Sequence, residues 1–109
     1  MKNSKFHTLT VLLMGVFACL SASAVQASEA LAKKHGCTGC HAMSEKIVGP
    51  SFLDVGKKYA TEKDARTVIS QSIQKGGVGK WGKIPMPPND SLTDADAKAL
   101  ALWILATPK

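Results

Sequence analysis

The chain of 109 residues predicts an all-helical fold, and three observations carry that prediction. Apolar residues recur at three- and four-residue spacings in separate short segments. Hydroxyl and carboxyl residues stand where helix N-termini need caps. No stretch alternates apolar with polar residues as a half-buried strand would, and no internal repeat is present.

The N-terminus reads as a leader. Lys2 and Lys5 precede the apolar run Leu9 to Leu20, and small residues follow at Ala22, Ala24 and Ala27. This is the three-part layout of a secretory signal peptide, and the apolar run is too short to span a bilayer comfortably. Cleavage is expected after Ala27, in the VQA context, with Ala24 as an earlier alternative. Residues 1–27 are then the signal peptide and 28–109 the domain, exported to the periplasm without stable membrane insertion. VFAC, Val16 to Cys19, has the look of a lipidation site, but Phe17 is bulky for one. Cleavage removes Cys19 and leaves Cys37 and Cys40, a pair whose loop is too small to staple a fold. The mature chain has 109 − 27 = 82 residues, enough for one domain. A domain of that size buries only roughly 60% of its unfolded surface, so a bound prosthetic group adds useful apolar contact. The leader holds two of the fourteen basic residues and none of the eight acidic ones, so the mature charge is 12 − 8 = +4. That balance suits acidic protein surfaces and does not require nucleic acid.

Four helices follow in order. Ser28 is placed to cap a short first helix through Lys34, ended by Gly36. Phe52, Val55 and Tyr59 share one face of a second helix after Pro50. Thr61 with Asp64 three residues on resembles a capping box, and Ala65, Val68, Ile69 and Ile73 mark the buried stripe of a third helix, stopped by Gly76 and Gly77. Thr93 with Asp96 repeats the capping pattern, and Asp94 and Asp96 suit the helix dipole. Ala97, Leu100, Ala101 and Ile104 form the apolar face of that last helix, and Pro108 follows its end. Between helices three and four, GGVGKWGKIPMPPNDS at 76–91 is a long connection for so small a domain, and such loops are usually functional. Met86 sits there between Pro85 and the pair Pro87 and Pro88, in backbone that is stiff without being helical.

The stretch HGCTGCHAM, His35 to Met43, raises three chemistries. A zinc site needs four ligands in separated pairs, and the mature chain has only two thiols and two histidines, His35 and His41, crowded into seven residues. A thioredoxin-like dithiol needs a strand-helix-strand context that is missing and leaves Met86 unexplained. Covalent haem attachment uses every part. CxxCH is the signal for a c-type haem, with Cys37 and Cys40 as the thiols that add to the porphyrin vinyl groups and His41 beneath the iron. One haem c per chain is expected.

A second axial ligand must reach the opposite face of the ring. Met1 and Met14 leave with the leader, and Met43 is two residues from His41, whereas Met86 lies 86 − 41 = 45 residues on. A lone methionine usually fills a core gap, which three flanking prolines make unattractive here. His35, close to the attachment loop, is the rival ligand and reads otherwise as a surface residue. The glycines at 76, 77 and 79 before Lys80 faintly resemble a phosphate loop, but Trp81 stands where Ser or Thr is required. They are read as turns that let the chain pass close to the haem.

With CTGCH, Gly49-Pro50, Trp81-Gly82 and IPMPPN from Ile84 to Asn89, residues 28–109 resemble a small bacterial class I cytochrome c of the cytochrome c-551 type. The resemblance implies the class I cytochrome c fold, four to five short helices around one covalently bound low-spin haem. It implies single-electron transfer in the periplasm, with nitrite reductases, oxidases or peroxidases among the partners. It also implies that the Pro50 carbonyl accepts from the His41 ring, that Asn89 donates toward the Met86 sulfur, and that Trp81 donates toward a haem propionate. Two positions depart from the family pattern. Ser72 stands where an arginine near the propionates is common, and Ala32 where an aromatic often packs against that of the last helix, here Trp103.

A thioether ligand favours ferrous iron relative to a second histidine and raises the potential. With both axial positions filled, outer-sphere electron transfer by a monomer is expected and catalysis is not. The alternative is a haem sensor or weak peroxidase with a labile Met86. Lys33, Lys34, Lys57, Lys58, Lys80 and Lys83 flank the cofactor-binding segments and would steer acidic redox partners.

Overall fold

The computed structural model describes residues 21–107. The basic residues, apolar run and Cys19 of the leader lie outside them, as does Pro108. Four helices are formed, α1 Ser21–Lys34, α2 Phe52–Tyr59, α3 Ala65–Lys75 and α4 Asp94–Ala106, with a 3-10 turn at Cys37–Gly39. Among the described residues there is no strand, only an isolated antiparallel bridge between Gly77 and Met86.

Helix α1 starts earlier than the Ser28 cap predicts. SASAVQASEALAKK contains no glycine or proline and five alanines, the strongest helix former. Nothing interrupts the backbone ahead of Ser28, so this residue sits inside the helix instead of capping it. Helix α2 begins as expected: the wholly buried Ser51 accepts from the Asp54 amide at 3.0 Å. Its buried face carries Phe52, Gly56 and Tyr59.

The expected Thr61 capping box does not form. Helix α3 starts at Ala65, with Asp64 itself in the cap position and making no side-chain cap bond. Local turn bonds explain the difference, since the Glu62 amide donates to Tyr59 O at 3.0 Å and that of Ala65 to Glu62 O at 3.3 Å. Residues 61–63 are consumed in reversing the chain. Of the predicted α3 stripe, Ala65, Ile69 and Ile73 are buried and Val68 is half-buried against the same core, and Gly76 ends the helix at a positive φ of 68°.

In α4 the Thr93 hydroxyl accepts from the Asp96 amide at 3.1 Å. This helix packs against α1, α2 and α3 alike, burying Ala97, Leu100, Ala101, Trp103 and Ile104. Full burial of one large apolar side chain is worth about 1.5–3 kcal/mol, so α4 is the axis of the core. The α2 crossing is close enough that a Cβ on Gly56 would lie 2.6 Å from Ile104 O. Trp103 finds an aromatic neighbour despite the small Ala32: it meets Phe52 edge-on, centroids 4.8 Å apart, while Ala32 is fully buried in the same core.

Candidate haem-binding site

The CxxCH segment is shaped by one glycine and one tight turn. Gly36, at φ 73°, takes the left-handed conformation that ends α1 and is nearly free only for glycine. The 3-10 turn follows, with the Cys40 amide bonded to Cys37 O at 3.2 Å and that of His41 to the same carbonyl at 2.9 Å. Cys37, Cys40 and His41 thereby line one cleft. Both thiols are free, and burial pushes the half-buried Cys37 thiol above its ordinary range.

The His41 ring is held from three sides. Nδ1 donates to Pro50 O at 2.7 Å, which fixes the tautomer and leaves Nε2 as the nitrogen with a free lone pair. Phe52 stacks against it at 5.5 Å between centroids. Gly49 lies so close that a Cβ there would be 2.6 Å from Cε1 and 2.9 Å from Nδ1. The intervening loop is strapped by Gly49 N to Cys40 O at 2.8 Å and Phe52 N to Ala42 O at 3.0 Å.

Met86 is positioned mainly through its backbone. Its amide donates to Gly77 O at 2.8 Å and its carbonyl accepts from Gly77 N at 3.0 Å. Gly76 leaves no room for a side chain, because a Cβ would overlap Met86 O and lie 2.8 Å from Pro88 N. Met86 lines the same cleft as His41. Met43 does not line it and is 43% exposed.

The cleft holds about 200 Å³ of water-reachable space between α2, α3, α4 and the loops at 37–50 and 76–87. Val48, Val78 and Ile84 line it while remaining 46%, 66% and 66% exposed. Apolar surface left open around a concave apolar site is the signature of a ligand site. Two free thiols on one wall, an oriented imidazole and a thioether make a donor set suited to a covalently attached haem. The residues present fit that group.

The remaining predicted residues are distributed unevenly. Trp81 lines the cleft but is 36% exposed, not buried. Lys58 Nζ sits 4.3 Å over its ring and donates to Lys80 O at 3.1 Å, so this lysine clamps the loop. Lys33 pairs with Glu29 at 3.0 Å. In addition to Lys58 over Trp81, Lys80 lines the cleft, and Lys46 and Lys83 line an adjoining hollow; Lys46 carried no motif that marked it. Ser72 lines the cleft, and its hydroxyl donates to Val68 O at 2.9 Å within its own helix. Asn89 donates to His35 O at 3.4 Å and lies outside the cleft lining. His35 also lies outside it and is half-buried, not on the surface. No described helix is long and apolar enough to cross a membrane.

Comparison with known proteins agrees with this site. The profile of the cytochrome c family matches residues 25–108. Cytochrome c-552 of Nitrosomonas europaea is 50% identical over 95 residues, covering 84% of this chain and 92% of that protein. Cytochrome c-552 of Hydrogenobacter thermophilus is 54% identical over 80 residues, covering 73% of this chain and 81% of that one. The crystal structure of wild-type Nitrosomonas europaea cytochrome c552 superposes with a TM-score of 0.72 at 50% identity, over 73% of this chain and 99% of that one. The chain therefore belongs to the cytochrome c family, and its CxxCH at Cys37–His41 is the attachment site of a covalently bound haem c.

Proposed function

We propose that the protein is an exported monohaem cytochrome that carries single electrons between periplasmic redox proteins, with His41 and Met86 as its axial ligands. The observation that carries this reading is that both proposed ligand residues line one cleft on backbone that is already tied down. His41 presents Nε2 because Nδ1 is committed to Pro50, and Met86 is clipped at both its amide and its carbonyl to Gly77. When bound, the haem supplies an iron that gains or loses one electron. The protein's part would be to hold the iron through His41 and Met86, to cover the group with Val48, Val78 and Ile84, and to move little as the charge changes. With both residues committed to the iron, electron transfer would run without a substrate bound there.

Pro50 orients His41, and Trp81, with Lys58 on its ring face, stands at the cleft rim for a propionate. Asn89 is three residues beyond Met86, within reach of the ligand loop. Lys46, Lys80 and Lys83 form the basic surface that would steer an acidic partner to the cleft. Residues 1–27 are the leader in this reading, so cleavage after Ala27 would trim the first turns of α1 and leave Ala32 in the core.

The test is the visible spectrum of periplasmically matured protein, oxidised and reduced, with and without carbon monoxide. Sharp low-spin bands and a thioether-to-iron charge-transfer band, unchanged by the gas, are expected. A spectral shift of the reduced protein with carbon monoxide would refute the closed carrier and support sensing or catalysis at a labile Met86.

A further inference from the structure

His35, Ser91 and Asn89 form a closed ring of hydrogen bonds that the electron-transfer reading does not use. His35 Nδ1 lies 3.3 Å from Ser91 Oγ, the Ser91 hydroxyl donates to Asn89 Oδ1 at 2.8 Å, and Asn89 Nδ2 donates to His35 O at 3.4 Å. Because the Ser91 proton is spent on Asn89, Ser91 Oγ accepts from His35, and the ring proton belongs on Nδ1. An independent observation agrees. Among the described residues His35 Nε2 is buried and has no partner, so a hydrogen there would be desolvated with no acceptor to meet it.

The ring joins segments far apart in the chain, with 54 positions between His35 and Asn89. His35 stands two residues before Cys37, and Asn89 stands three residues after Met86. The Asn89 backbone is anchored separately, through its amide to Gln74 O at 3.2 Å, so what the ring sets is the plane of the side-chain amide. That amide has two N–H groups and the ring uses one.

We propose that His35 and Ser91 are positioning residues that orient the Asn89 amide and latch the segment leaving Met86 to the segment entering the haem-attachment motif, holding the methionine loop closed. The inference rests on the reading of Met86 as a ligand. The two side-chain bonds share Ser91, so the contributions of His35 and Ser91 are coupled, whereas the His35 carbonyl that accepts from Asn89 is main chain and stays in any side-chain variant.

The test uses the ferric holoprotein with imidazole as a competing iron ligand, following loss of the thioether-to-iron charge-transfer band. Ser91→Ala and His35→Leu are each expected to tighten apparent imidazole binding roughly two- to tenfold, the worth of a net neutral hydrogen bond. Ser91→Thr should restore the wild-type value, and the double variant should add little to either single one. Nitrogen-15 NMR of the wild type should find the His35 ring proton on Nδ1. Unchanged imidazole binding in Ser91→Ala, full additivity in the double variant, or a proton on Nε2 would each overturn the latch. Met86→Ala separates the two readings. If it leaves the band intact, the ligand assignment fails and the latch falls with it; if the band disappears while Ser91→Ala changes nothing, only the latch is wrong.

Discussion

Gly49→Ala tests whether the loop before Pro50 sets the geometry of the proposed His41 ligand. The new Cβ would lie 2.6 Å from Cε1, where ordinary contact begins at 3.4 Å, so about 0.8 Å of relief is required. The loop cannot readily yield, being tied by Gly49 N to Cys40 O at 2.8 Å, and the ring is therefore pushed away from residues 49–50. These carry its acceptor, and a shift of that size stretches the 2.7 Å bond to Pro50 O toward ~3.5 Å, where little of a hydrogen bond survives. Overpacking costs about 1–3 kcal/mol and the lost bond about 1 kcal/mol, against about 0.4–1 kcal/mol regained by stiffening the unfolded chain. The net loss is roughly 1–3.5 kcal/mol, or a Tm lower by roughly 4–28 °C for a domain of this size.

The same substitution bears on the iron. A ligand imidazole that donates from Nδ1 is a better electron donor and favours ferric iron. Losing that bond should raise the reduction potential by roughly 20–40 mV, taking 0.5–1 kcal/mol of differential stabilisation and 59 mV per tenfold change for one electron. Thermal melts and redox titration of the holoprotein read both quantities. An unchanged Tm would show that the loop absorbs the methyl group. A lower Tm with an unchanged or lower potential would refute the link from the Pro50 hydrogen bond to the iron.

Three further outcomes are expected elsewhere. Gly56→Ala places a methyl 2.6 Å from Ile104 O and should lower stability by up to about 2 kcal/mol in denaturant unfolding, overpacking of about 1–3 kcal/mol set against about 1 kcal/mol of helix propensity; a stability gain would mean α2 and α4 are less tightly crossed. At Asp94, hydrogen bonding first to Lys98 and then to Gln74 holds the carboxyl below its ordinary value. A depressed carboxylate contributes stability above about pH 4 that is lost as pH falls through its lower folded value. Asp94→Asn should therefore flatten the acid limb of the stability profile slightly while leaving its slope above pH 6 unchanged. Replacing Lys80 and Lys83 by glutamine should slow electron transfer with an acidic redox partner and weaken its salt dependence, and a rate indifferent to both changes would remove the steering surface.

Helix α4 was legible because cap and stripe agree, Thr93 bonding the Asp96 amide ahead of a buried apolar face; α2 was legible from Phe52 and Tyr59 on one face after Pro50, while its Ser51 cap shows only in the folded chain. The start of α3 was not, since Thr61 and Asp64 satisfy a capping pattern that the turn bonds from Glu62 and Ala65 override. The attachment site was legible because its chemistry is local, all of it within five residues. Gly49 and Gly76 matter through the space they leave for His41 and Met86, and only the folded chain shows what that space touches. The role of His35 was hidden for the same reason, because its partners lie more than fifty positions away.

Ala32 and Ser72, the two positions set apart in the sequence, are accommodated by side chains around a frame held by main chain. Trp103 packs edge-on against Phe52, and Phe52 in turn stacks on His41. Instead of an aromatic partner on α1, Trp103 thus has one that joins the proposed ligand directly to the core helix. Ser72 presents no charge to the cleft and closes its hydroxyl onto Val68 O, while Lys80 lines the cleft and Lys58 sits over Trp81 at its rim. In both cases the adjustment is made by side chains, whereas both proposed ligands are held by main chain: His41 by the Pro50 carbonyl, Met86 by the paired bonds to Gly77. A carrier that must change only its iron's charge is well served by that division, because backbone bonds within a packed frame resist the small displacements that would otherwise add reorganisation to each electron transferred.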